Sequence, residues 1–190
     1  MDKKSQLDIL IAGCVKKDRL SQEKLFKLFY GKLMAISLRY ANDNDTAQEI
    51  LQESFIKIFD KIEMFESNGS FEGWIKRIVT NTALDFLRKS KRVTFVEENE
   101  VNTKDAFTNP LEESEFEHTL ELKASFALEA IQKLSPAYRT VFNLYVIEEY
   151  THKEIAEMLG ISEGTSKSNL AKAKMNLQKM ITNYYSKIEE

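Results

Sequence analysis

Little in this sequence staples or punctuates the chain. A single cysteine, Cys14, excludes an internal disulfide framework and fits a reducing cytoplasm, so its place is that of a small core residue. Two prolines and six glycines in 190 residues leave few turn signals, which argues against the many tight loops of an all-β domain. No apolar run approaches the length of a membrane span. The start, MDKKSQLDILIAGCVKKD, has lysines ahead of an apolar run, but Asp8 interrupts it and it does not read as a signal peptide. Only two histidines occur, and there is no HExxH, no CxxC and no glycine-rich phosphate loop after a strand. No catalytic residue, metal ligand or cofactor is therefore expected. His118 in an acidic stretch and His152 in a helix's first turn read as ordinary surface residues. Internal repeats and low-complexity tracts are also missing.

What is present is helical periodicity and segregated charge. Long apolar stripes at three- and four-residue spacing indicate an all-α fold. The net charge is only −3, but Glu97 to Glu121 holds nine acidic side chains against one lysine, Lys104. That segment is −8, which leaves about +5 for the rest of the chain. Phosphate binding depends on local charge, so the modest total does not exclude nucleic acid. The acidic stretch also contains Pro110 and lacks a sustained period, as a flexible linker would. The expected architecture is two small helical domains, 1–92 and 115–190, joined by an acidic linker over 93–114.

The C-terminal half carries the sharpest pattern, Tyr150 to Lys179. Thr151 can cap a helix, and Glu154 completes a capping box. Ile155, Ala156 and Leu159 follow at inward spacing, and Gly160 stands where a left-handed residue would end the helix. Ile161 can plug the corner, and Ser162 can cap a second helix. There Leu170, Ala173, Leu177 and Ile181 form the expected buried stripe. The other side shows Thr165, Lys167, Ser168, Ala171, Lys172 and Lys174, with no acidic residue from Thr165 to Lys179. A helix apolar on one side and basic or hydroxylic on the other suits a DNA major groove. The plain alternative is a solvated amphipathic helix in a bundle.

Upstream, helices are expected over residues 7–15 and 21–40, the second with Leu25, Leu28, Phe29, Leu33, Ile36 and Tyr40 inside. Asn42 to Asp45 breaks that pattern, and Asp45 can cap the next helix with Gln48 three residues on. That helix buries Ile50, Leu51, Phe55, Ile58, Phe59 and Ile62. Its outer side, Glu49, Gln52, Glu53 and Lys57, is either an ordinary wet face or a partner surface. After a turn at Glu66 to Ser70 comes Phe71 to Arg92, with six basic residues from Trp74 onward against one acid, Asp85. Trp74, Ile75, Ile78, Leu84 and Leu87 make its core stripe. Phe65, Phe71 and Trp74 cluster beside an Asn-Gly loop, and aromatics next to cations suit unstacked nucleic acid. For Trp74 and Phe55 a core position is the favoured reading. Further on, Phe126, Leu128, Ile131 and Leu134 are inward positions. Ser135-Pro136 then starts a helix that runs to Glu149.

Taken together, these blocks resemble an extracytoplasmic-function (ECF, group IV) sigma factor of bacterial RNA polymerase. Ala47 to Phe59 (AQEILQESFIKIF) is similar to the family's polymerase-clamp helix. Phe65 to Lys89 is similar to the segment that opens and reads the minus-ten element, and Leu134 to Leu177 to the domain that reads the minus-thirty-five element. The resemblance implies an alternative sigma factor, not an enzyme, that directs promoter-specific initiation in the cytoplasm. It implies that Glu49, Leu51, Gln52 and Glu53 contact the polymerase beta-prime clamp. Asn68, Phe71 and Asn81 would frame a flipped base, with Lys76, Arg77, Arg88 and Arg92 near phosphates. Lys167, Ser168, Ala171 and Lys172 would face bases, and Thr165, Asn169 and Lys174 phosphates. The implied partners are core polymerase (clamp and beta flap), promoter DNA and an anti-sigma factor, the free protein being a monomer or 1:1 with that partner. Where the family often has arginine, Asn169, Lys172 and Lys174 stand here, and a lysine lacks the bidentate fork that reads guanine. A dimeric helix-turn-helix regulator that is not a polymerase subunit is the rival reading, and it gives Phe65 to Arg92 no role.

Overall fold

The computed structural model describes residues 3–66, 69–89 and 117–186, and every regular element among them is helical. The chain divides into two compact units, Met1–Ser90 and Lys91–Glu190. The Lys3–Val15 helix (α1), Arg19–Tyr40 (α2), Asn44–Lys61 (α3) and Phe71–Lys89 (α4) build the first unit. A 3-10 turn, Ile62–Met64, follows α3.

The core of this unit is the three-way packing of α2, α3 and α4. Leu25, Leu33, Ile50, Ile58, Ile75 and Val79 are almost wholly enclosed there. Three small hydroxylic residues buried at the crossings keep their hydroxyls bonded. Ser37 Oγ donates to Leu33 O (3.0 Å), Ser54 Oγ to Ile50 O (2.6 Å) and Thr82 Oγ1 to Ile78 O (2.8 Å). Each thereby bonds the carbonyl four residues back in its own helix. At the α1–α2 corner a Cβ on Gly13 would overlap the Ser21 side chain, so only glycine allows this approach.

Three details depart from the sequence expectation. The cap of α2 is Asp18, whose carboxylate accepts from Ser21 N (2.8 Å) and Ser21 Oγ (2.6 Å), so the helix begins at Arg19. The cap of α3 is Asp43, accepting from Thr46 N at 2.7 Å, and Asp45 falls inside the first turn. Leu28 is exposed, because the seam of α2 runs through residues 25, 29, 33, 36 and 40 and position 28 lies beyond its edge.

In the second unit the helices are Glu117–Lys133 (α5), Pro136–Phe142 (α6), His152–Leu159 (α7) and Glu163–Ser186 (α8). Ser135 caps α6 ahead of Pro136, as the dipeptide implies. The expected α-helix to Glu149 stops at Phe142, however, and Asn143–Ile147 winds as a π-helix closed by Glu148 N to Asn143 O at 2.9 Å. The wider winding turns Tyr145, Val146 and Ile147 toward solvent, and Glu149 (φ 61°) reverses the chain. Along α8, Leu170 and Ala173 are buried but Ile181 is exposed. The reason is a stack of Tyr184 on Phe126 of α5 (4.1 Å between centroids), which brings residues 177, 180 and 184 inward and turns 181 away.

Candidate nucleic-acid interface

The second unit ends in a helix-turn-helix set by local chemistry. Thr151 Oγ1 accepts from Glu154 N (3.3 Å), and Glu154 Oε2 accepts from Thr151 N (2.8 Å), closing the capping box. Gly160 takes φ 67°, ψ 36°, and Ile161 N reaches back to Ala156 O at 3.1 Å. Ser162 Oγ then accepts from Thr165 N (3.0 Å) to start α8. Lys167, Ala171, Lys174 and Met175 lie exposed along one side of α8, with Thr165, Ser168 and Lys172 half-buried beside them. Lys167 Nζ is 3.8 Å from Glu163 Oε2, a loose pair in which both side chains stay in solvent. Asn169 belongs to the opposite side. It is 1% exposed, between Ser166 and Ala173 of the packed face, so it is removed from the set expected to touch phosphate.

In the first unit, Met64, Phe65, Glu66, Ser70, Gly73, Trp74 and Arg77 line an open pocket of about 430 Å³. Phe71 is buried behind its wall, edge-on to Phe65 (5.1 Å) and 5.7 Å from Trp74. Phe71 therefore supports the aromatic wall from inside and does not face the opening. Trp74, expected in the core, is half-buried and forms part of the lining. From the pocket, one side of α4 runs outward through Gly73, Arg77, Asn81 and Arg88, at steps of four, four and seven residues. Arg77 makes no ion pair among the described residues, whereas Arg88 Nη1 holds Asp85 Oδ1 at 2.7 Å. Lys76 is engaged by Glu72 (3.0 Å), which also binds Lys32 of α2 (2.7 Å). These lysine contacts, Lys32 first, hold the Glu72 carboxyl below its ordinary value. Asn68 and Arg92 lie outside the described residues.

A third surface is the outer side of α3. Glu49 and Gln52 are exposed, and Glu53 is half-buried with Lys57 Nζ at 2.9 Å. Leu51 is 1% exposed and packs inward, so its side chain cannot be a direct partner contact. One turn beyond Gln52 sits Ile56, 61% exposed among polar neighbours. The sequence signal for it was available: an isoleucine one position off the stripe of Leu51, Phe55 and Ile58.

No cluster of histidine, cysteine and carboxylates among the described residues is arranged to hold a metal ion, and no described helix is long and apolar enough to cross a membrane. What the geometry defines is a helix-turn-helix protein with a separate unit that carries an aromatic pocket beside a cationic helix side. Comparison with known families narrows the class: sigma-70 region 2 matches residues 25–93, and sigma-70 region 4 matches residues 127–177. The chain belongs to the sigma-70 family. Among curated relatives, the ECF RNA polymerase sigma factor SigE of Mycolicibacterium smegmatis is 27% identical over 169 residues, 87% of this chain. This chain spans only 63% of that protein's length. The RNA polymerase sigma factor YlaC of Bacillus subtilis is 26% identical over 168 residues, which cover 87% of this chain and 95% of the relative. The sigma factor RpoE of Bartonella quintana, solved with the anti-sigma factor NepR, shares the fold at a TM-score of 0.51 and 21% identity, covering 84% of this chain and 96% of that one.

Proposed function

We propose that this protein is an alternative sigma factor of the ECF group (group IV), which binds core RNA polymerase and directs it to promoters. The observation that carries the reading is the joint presence, in one chain, of regions 2 and 4 with two distinct cationic surfaces. Glu49, Gln52 and Glu53, with Ile56 added, form the contact to the polymerase clamp. The pocket beside Trp74 receives an unstacked base of the minus-ten element, whose extrusion costs a few kcal/mol and is offset by stacking and polar contacts. Asn68 and Asn81 frame that base, and Arg77 and Arg88, with Lys76 and Arg92, follow the strand backbone. On α8, Lys167, Ser168, Ala171 and Lys172 read the minus-thirty-five element, while Thr165 and Lys174, together with Lys167 at the edge of that set, hold phosphates. Each good base contact there is worth about 1–3 kcal/mol of discrimination.

The protein itself performs no catalysis; polymerase makes the RNA and this chain fixes where synthesis begins. Domain limits of 1–92 and 115–190, with the acidic segment 93–114 avoiding duplex phosphates, complete the arrangement. The place of action is the cytoplasm, and an anti-sigma factor is a further partner. Core polymerase pulled down with the purified full chain, followed by run-off transcription on a genomic fragment library, tests the proposal. A stoichiometric complex with discrete start points is expected. Failure to join polymerase, or joining without redirecting start points, refutes it.

A further inference from the structure

His152 is not the ordinary surface residue its sequence position implies. Its Nδ1 lies 2.9 Å from Ser166 Oγ, in the second turn of α8, and Ser166 is wholly buried. Its ring stacks on Tyr145, with centroids 4.4 Å apart and planes inclined by 22°. Lys174 Nζ approaches the same Tyr145 ring to 6.0 Å. One imidazole thus joins the π-helix, the first residue of α7 and the start of α8, beside Thr165 and Lys167.

We propose that His152 is a positioning residue for α8 and a proton-linked phosphate contact of the same face, taking up a proton as duplex DNA docks. The inference rests on the reading of α8 as a DNA-binding helix. With Nδ1 committed to Ser166, Nε2 is the ring nitrogen left without an intramolecular partner among the described residues. The groups around the ring are Tyr145 from the π-helix, Glu149 and Tyr150 from the turn, and Glu163, Lys167 and Lys174 from α8. On α7 itself, Glu154 is occupied by Thr151.

In the free protein, partial burial first, and then Lys167 and Lys174, hold the imidazole below its ordinary value, with Glu163 opposing. A docked phosphate neutralises those lysines and adds an anion, so the same ring becomes easier to protonate. Protonation leaves the bond to α8 intact. Nδ1–H then donates to Ser166 Oγ, and the Ser166 hydroxyl turns to the Ser162 carbonyl, which already accepts Ser166 N at 3.0 Å. The bound state therefore holds one more proton and one more cationic contact, and by linkage DNA affinity rises as pH falls.

The test uses the full chain, a labelled random-sequence duplex of about two helical turns, and proton NMR of the imidazole carbons. His152→Asn places an amide where Nδ1 sits, keeping the bond to Ser166 without titrating. The wild type should bind about three- to tenfold more tightly at pH ~5.5 than at pH ~7.5, tenfold corresponding to a full unit of displacement. Its His152 resonance should titrate at higher pH once the duplex is added. His152→Asn should lose the acid gain and bind with nearly the same affinity at both pH values, whereas Ser166→Ala should bind more weakly at both pH values. An equal acid gain in His152→Asn, or a His152 midpoint unmoved by DNA, overturns the proton link. Ser166→Ala binding like the wild type overturns the positioning role. Absence of any binding at either pH sinks the DNA reading of α8 itself and this inference with it.

Discussion

Replacing Lys167 and Lys174 together by alanine isolates the electrostatic part of DNA binding by α8. Both side chains are exposed on one side of the helix, about two turns apart, and neither contributes to the packed face. Each phosphate neutralised on B-DNA adds about 0.9 to the slope of log affinity against log salt, so the pair should lower that slope by about 1.8. With affinities converging near 1 M salt, the loss at 0.1 M is about sixtyfold, or ~2.5 kcal/mol. Lys167 already has Glu163 at 3.8 Å, but an exposed pair of this kind contributes little, so the deduction for breaking it is small. Fluorescence anisotropy with a labelled duplex over a salt series measures the slope directly. Lys167→Arg with Lys174→Arg should keep it. Lys27→Ala, which breaks an exposed pair with Glu23 on α2 of the first unit, should leave it unchanged. An undiminished slope in the alanine pair would refute the assignment of phosphate contacts to α8.

Other outcomes follow from the remaining surfaces. Gly73→Leu should fill the pocket beside Trp74 without disturbing α4, since a Cβ there meets only Ser70 Cβ at 3.8 Å. Promoter opening, followed by 2-aminopurine fluorescence, should fall while duplex binding by α8 persists; normal opening would clear the pocket of a role. Ile56→Asp should weaken core-polymerase binding roughly ten- to a hundredfold, as loss of an exposed apolar anchor does, with an unchanged melting temperature. Equal affinity in a binding titration would exclude Ile56 from the clamp contact. Gly160→Ala meets no neighbour within 4 Å, so its cost of about 1–2 kcal/mol is conformational. A calorimetric scan should show the second unit melting lower by several degrees, and an unshifted transition would mean the corner is not held in the left-handed conformation.

Much of the fold was legible because periodicity and capping chemistry are local. The Thr151–Glu154 box, Gly160 and Ser135-Pro136 stand where the residues placed them. Asp43 and Asp45 could not be separated by type, since four candidate capping residues run consecutively and only the register of the packed helix selects one. Leu51, Phe71 and Asn169 were expected at contact sites by resemblance, and burial moves them behind the surfaces they were assigned to. Exposure depends on where neighbouring helices end, which a one-dimensional pattern does not carry; Leu28 and Ile181 have the right spacing and the wrong surroundings. His152 has the sequence setting of a plain surface group, because its partners, Tyr145 and Ser166, become neighbours only through the π-wound segment and the Gly160 corner.

That segment, Asn143–Ile147, holds its turn with five-residue spacing, as though one amino acid had been added to an ordinary helix. Removing a single residue from it would restore regular winding and swing Tyr145 through about 100°. The imidazole would lose its platform although no atom of the recognition helix had changed. A relative shorter by one at this point would have to set the pitch of its reading head by some other means.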